Sequence, residues 1–140
     1  MAVAGAYGCP MTTAIAIPAL RISSRDTVAF YERAFGASVA FITPETGDEV
    51  HHAELTIGGA MFMCGTGQED GMEQELGGSA MYWVLQAGPE VDALYQQAIA
   101  AGATDDRPPY DAEYGGRHCS VRDPDGNHWS FGTYRPAALG

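Results

Sequence analysis

The sequence predicts an α+β fold made of two copies of one βαβββ module, and three observations carry that prediction. VAFYERAFGA (residues 28–37) returns in weaker form as DALYQQAIAAGA (residues 92–103): Ala29 and Ala93, Tyr31 and Tyr95, and Ala34 and Ala98 each lie 64 positions apart, which marks an internal duplication. Each copy follows a short apolar run, AIAIPALRI (residues 14–22) or AMYWVLQA (residues 80–87), and precedes several stretches of strand character. A chain of 140 residues with 46% hydrophobic content is long enough for one core and too short for two.

The elements follow in order. Residues 1–12 read as a tail, and 13–135 as one domain whose first module ends near residue 65. In the first helix Val28, Tyr31, Ala34 and Phe35 recur at helical spacing. Ser23, Ser24 or Asp26 can cap it, and Gly36 can stop it. SVAFITP, VHHAELTIGG and AMFMCG come next, with the turn former PETGDE between the first two. Alternation in VHHAELTI puts Ala53, Leu55 and Ile57 on one face and His52, Glu54 and Thr56 on the other. Residues 66–78, with the carboxylates Glu69, Asp70, Glu73 and Glu75, read as a solvated linker.

The second module covers about 79–135. Its helix shows Val91, Leu94, Ala98 and Ile99 at helical spacing, opens on Pro89 and Glu90, and stops at Gly102. DDRPPYDAEYGG (residues 105–116) reads as an irregular segment, either a lid that closes Tyr110 and Tyr114 over a ligand or an ordinary surface connection. Two strands joined by the turn DPDGN complete the module, and 136–140 form a C-terminal tail.

Charge and composition exclude several partners. A formal net charge of −11 repels nucleic acid and anionic membranes, because binding either needs clustered Lys and Arg. The same field attracts a cationic small molecule, or serves solubility alone. There is no apolar run of about 18 residues and no secretion signal, so a cytoplasmic protein is expected. Cys9, Cys64 and Cys119 have no metal-like spacing and read as free thiols.

The paired modules, AFYERAFG after the first strand, AELTIGGAMFM, and RDPDGNHWSFGTY near the end together resemble the vicinal oxygen chelate superfamily. That superfamily includes glyoxalase I, extradiol dioxygenases, fosfomycin-resistance enzymes and bleomycin-type resistance proteins. The resemblance covers residues 13–135. It implies that each module curls into a half-barrel, that concave faces form a cleft, and that the protein is a homodimer whose clefts use both subunits. In metal-using members the ligands resemble a set of His, Gln or Glu on the first strand of each module, with Glu on the last strand, four residues after the turn glycine. Counting from Gly126 gives Ser130; the other three positions fall at about Ile17, Met81 and Phe62. Three of these side chains offer no hard donor and a neutral hydroxyl is a poor one. The resemblance therefore implies no metal, no other cofactor and none of the superfamily's metal chemistry.

What lines the cleft follows from the same alignment. Met81, Trp83 and Leu85 are expected to face it with Phe62, His128 and Ser130, while Tyr82, Val84, Trp129 and Phe131 face the helices. Trp83 is either a stacking platform for a ligand or a filler of the barrel. His118 and Ser120 are hydrogen-bonding candidates, Tyr114 a lid residue, and His52 and Glu54 a polar wall on module one. Together these imply a binding protein that sequesters a small aromatic molecule, with a cationic one suited to the field. The rival is an enzyme of the superfamily, a lyase, isomerase or dioxygenase, or a metal-free catalyst that uses His118 and Glu54.

Overall fold

The computed structural model describes residues 13–67 and 75–140; the tail 1–12 and most of the expected linker lie outside them. The duplication is realised strand for strand. Module one contains β1 (Ala19–Arg21), α1 (Arg25–Phe35), β2 (Ser38–Thr43), β3 (His52–Ile57) and β4 (Ala60–Gly65). Module two contains β5 (Ala80–Val84), α2 (Gly88–Ala100), β6 (Thr104–Asp111), β7 (Arg117–Arg122) and β8 (His128–Gly132). Each forms a mixed four-stranded sheet, ordered β1-β4-β3-β2 and β5-β8-β7-β6, with the first strand parallel to the last.

The helices end where their side chains allow. Ser24 accepts a hydrogen bond from the Asp26 amide at the start of α1, and Gly36 closes it in the left-handed conformation at φ 67°. Glu90 reaches back to the amides of Gln86 and Ala87, at 3.1 and 2.9 Å, to tie down the start of α2.

Both sheets turn one face to a single aromatic core. Tyr31 and Phe35 of α1 stack at 6.1 Å and meet Trp129 of β8 at 5.0 and 4.5 Å. Phe62 of β4 packs edge-on against Tyr31, Trp83 and Trp129. As alternation predicts, Ala53 and Leu55 are fully buried here, so His52, Glu54 and Thr56 belong to the opposite, outward face. In module two the inward set is Trp83, Cys119, Val121, Trp129 and Phe131. Burial pushes the Cys64 thiol up to about 12 and the Cys119 thiol up to about 11, which leaves both as inert thiols.

The DPDGN turn does more than reverse the chain. The buried Asp123 carboxylate accepts from Tyr31 Oη at 2.6 Å, Trp129 Nε1 at 3.0 Å and Asn127 Nδ2 at 3.1 Å. Asp125 accepts from Thr27 Oγ1 and the Ser23 amide. The turn thus latches module two onto α1.

Two expectations change. The first strand is three residues long rather than nine, because Pro18 has no N–H to donate; only its carbonyl pairs, with the Met63 amide. The Pro-rich segment is strand β6 and not an irregular lid. It lies at the sheet edge, and register shifts at 105/107 and 107/110 let Pro108 and Pro109 sit where no ladder hydrogen bond is needed.

Candidate functional site

Strand pairing decides what the outward face of the module-two sheet displays. Tyr82 is paired with Ser130 in the parallel β5–β8 ladder, Ser120 with Ser130, and His118 with both Gly132 and Tyr110. Paired residues share a face. Tyr82, Ser120, Ser130, His118 and Tyr110 therefore share one face, and four tyrosines, Tyr82, Tyr110, Tyr114 and Tyr134, line a cleft of about 590 Å³ there with His118 and Ser130.

His118 organises this cleft. Its ring stacks on Tyr82 at 5.5 Å and meets Tyr114 edge-on at 5.2 Å, with Nδ1 3.0 Å from Tyr114 Oη. Its Nε2 is buried without a hydrogen-bond partner among the described residues. Only glycine at 132 permits this approach: a Cβ there would stand 2.6 Å from His118 Cδ2 and 2.8 Å from both Nε2 and Tyr82 Oη. Burial lowers the His118 pKa from its ordinary 6.5, so the ring is neutral at pH 7. At the rim Tyr82 Oη donates to the Tyr134 carbonyl at 2.6 Å, and the Arg107 guanidinium lies 3.5 Å above the Tyr110 ring.

A polar chain runs along the same face. Asp106 of β6 accepts from Ser120 Oγ at 2.7 Å and lies 3.1 Å from His128 Nε2, while His128 Nδ1 is 3.3 Å from Ser130 Oγ. Arg122 stands 3.6 Å away on the other carboxylate oxygen. The Ser120 hydrogen bond, then His128 and Arg122, hold the Asp106 carboxyl below its ordinary value.

Of the expected site residues, the structure brings His118, Ser120, Ser130, His128 and Tyr114 together on this face. It does not bring Phe62, Met81 and Trp83 there. Phe62 is fully buried among rings. Trp83 is 8% exposed and stacks on Trp129, so it fills the core. Met81 packs beside that core. The parity of β5 is thus the reverse of the expected one. MYWV carries a bulky ring at either parity, so alternation of polarity does not say which ring points in; the all-carbon face of tryptophan suits the core, and the tyrosine hydroxyl reaches a carbonyl at the rim.

His52 and Glu54 pair with each other at 2.9 Å on the module-one sheet and are not among the residues that line the His118 cleft. Tyr82, Tyr134 and Asp106 are the residues that sequence reasoning missed. The available signal was pairing of the first strand with the last, which sets Tyr82 opposite Ser130.

Two outward-facing pairs of the first and last strands lie near the expected metal positions. Ala19 is paired with Met63 and Tyr82 with Ser130, an alkyl, a thioether, a phenol and an alcohol. This donor set does not fit a divalent ion, and among the described residues no three His, Cys, Asp or Glu side chains form a metal-binding group. A second groove, of about 850 Å³, runs between the segment that precedes β1, the start of β4 and β5, and is chiefly apolar, with Ile15, Ile17, Pro18, Met61 and Met81 in its walls. No helix among the described residues is long and apolar enough to cross a membrane.

Comparison with known proteins agrees with this architecture. An uncharacterised protein of Mycobacterium bovis is 34% identical over 112 residues, which span 74% of this chain and 71% of that one. Among solved structures, TioX from Micromonospora sp. ML1 superposes with a TM-score of 0.72 at 26% identity, covering 88% of this chain and all of its own. A glyoxalase-related enzyme from Fulvimarina pelagi superposes with a TM-score of 0.69, also at 26% identity, over 86% of this chain and 87% of its own. Residues 23–131 match the family model described as the Glyoxalase/Bleomycin resistance protein/Dioxygenase superfamily, and with its paired βαβββ modules the chain belongs to that superfamily.

Proposed function

We propose that the protein sequesters a small planar aromatic molecule in the tyrosine-lined cleft, as a resistance protein of the binding type does. The observation that carries this is His118 Nε2, a buried polar atom with no hydrogen-bond partner among the described residues, in a wall of aromatic rings. A buried, unsatisfied nitrogen costs about 1–3 kcal/mol, and a ligand that parts the Tyr82 and Tyr114 rings packed on His118 and supplies the missing hydrogen bond removes that cost. If Tyr114 donates to Nδ1, Nε2 donates to a ligand carbonyl or ring nitrogen; in the other tautomer it accepts. Tyr82 and Tyr110 offer ring faces, and the charge of −11 favours a cationic ligand. A cleft of about 590 Å³ suits a drug-sized molecule. The proposal includes a homodimer, with neither nucleic acid nor membrane as a partner.

Titration with a planar cationic heteroaromatic probe such as proflavine tests it. The expected result is micromolar or tighter binding, about −8 kcal/mol, weakened by Tyr82→Ala and by His118→Ala. No saturable binding of such probes, or affinity unchanged in both variants, overturns it.

A further inference from the structure

We propose that the same cleft carries an acyl-transfer site, in which Ser130 is the nucleophile, His128 its general base and Asp106 the residue that positions the imidazole. The three groups form one continuous chain. Asp106 Oδ2 is 3.1 Å from His128 Nε2, and His128 Nδ1 is 3.3 Å from Ser130 Oγ. With Asp106 ionised, Nε2 carries the proton and donates to it, which leaves the Nδ1 lone pair for the Ser130 hydroxyl. Ser120, at 2.7 Å on the same carboxylate oxygen, orients Asp106 from the neighbouring strand. Ser130 also lines the tyrosine cleft, so the nucleophile faces the space a substrate would occupy.

An oxyanion needs a donor on the other side of the carbonyl, and His118 can supply one. His118 is paired with Gly132 and Ser120 with Ser130, so His118 and Ser130 are diagonal neighbours on one face, about 7–8 Å apart at the backbone. His118 Nε2 is buried and unpartnered among the described residues, and it donates to the oxyanion once a bound substrate displaces the rings that cover it. The substrate class is a carboxylic ester small enough for the cleft, with an aromatic group seated against Tyr82. Ser130 Oγ attacks the carbonyl carbon as its proton passes to His128 Nδ1. The ester C–O bond breaks, and the alcohol leaves with that proton. Water then gives a proton to His128 and attacks the acyl-serine; the C–Oγ bond breaks, and Ser130 recovers its proton as the carboxylic acid departs. Water is the co-reactant, and no electrons change hands.

The inference shares the cleft with the binding proposal but not its test. Full-length protein is incubated with p-nitrophenyl acetate, p-nitrophenol release is followed, and acetylated peptides are mapped by mass spectrometry. The expected result is saturable hydrolysis above buffer, acetyl on Ser130, and a loss of about 10²-fold in Ser130→Ala and His128→Ala. Asp106→Asn is expected to lower kcat and leave KM unchanged, which a general loss of structure would not do. Proflavine titration and thermal melting of each variant establish that the fold persists. Hydrolysis unchanged in Ser130→Ala, or no hydrolysis and no acetyl-Ser130 in a wild-type protein that melts cooperatively, overturns the proposal. If that protein still binds proflavine, the binding proposal stands without this one; hydrolysis without proflavine binding leaves the reverse.

Discussion

The two modules share a topology and differ in the side chains that their outward sheet faces display. On module one, the tight turn before the last strand is Gly58-Gly59, where an added Cβ would meet nothing within 4 Å. On module two the equivalent turn is latched by Asp123 to Tyr31, Trp129 and Asn127. The outward faces diverge in the same way. Module one displays Met61, Met63 and the self-contained His52–Glu54 pair, whereas module two displays a tyrosine cleft with His118 and a Ser–His–Asp chain beneath it. Duplication preserves the backbone because alternation and turns are enough to specify it. The polar groups that meet side by side, Asp106, Ser120, His128 and Ser130, lie on module two, because convergence of particular groups requires particular residues.

The latch is the place where this contrast can be broken most severely. Asp123→Ala removes the acceptor of three buried side-chain donors and is expected to cost about 3–5 kcal/mol in urea denaturation. Gly58→Ala in the matching turn meets only the strain of its φ of +59° and is expected to cost about 1–2 kcal/mol. Equal losses would show that the two turns are energetically alike.

Trp83 and Tyr82, adjacent on β5 and on opposite faces, sharpen the contrast further. Trp83→Ala is expected to cost about 3–5 kcal/mol of stability. Tyr82→Ala is expected to leave stability within about 1 kcal/mol and to weaken proflavine binding by about 1–2 kcal/mol. Thermal melts and calorimetric titrations of the two variants check this, and an exchange of the two effects would restore the expected parity of β5.

A smaller effect concerns His118. Its folded-state pKa lies below the unfolded value of 6.5, so folding disfavours the proton. Its contribution to stability is therefore complete above about pH 6.5 and is lost as the pH falls below that value. Denaturation midpoints between pH 7.5 and 5 should decline in wild type and decline less in His118→Gln. The smallest effect belongs to module one. The His52–Glu54 pair is 28% and 38% exposed, and Glu54→Gln is expected to change stability by less than about 1 kcal/mol and ligand affinity not at all. A clear loss of affinity would bring module one into the site.

Sequence patterning reached far into the fold and only partway into the site. The helices at 25–35 and 88–100, the inward set on β3 and the inward Trp129 and Phe131 were legible because polarity alternates cleanly there. His118, Ser120, Ser130, His128 and Tyr114 were legible as polar or aromatic groups on strands and loops flanking a cleft. Trp83 and Phe62 were misplaced because a run of large apolar residues has no polarity contrast from which parity can be read. β6 was misread because two prolines at a sheet edge have the composition of a loop.

What the sequence determined by itself is the duplicated α+β architecture, since repeat, periodicity and turn residues are local properties of the chain. What only the tertiary structure decided is which ring faces the cleft and which carboxylate reaches which histidine. Asp106, His128 and Ser130 come from strands that meet only when β7 is inserted between β6 and β8. That meeting depends on ladder register, and no residue carries its own register in its chemistry.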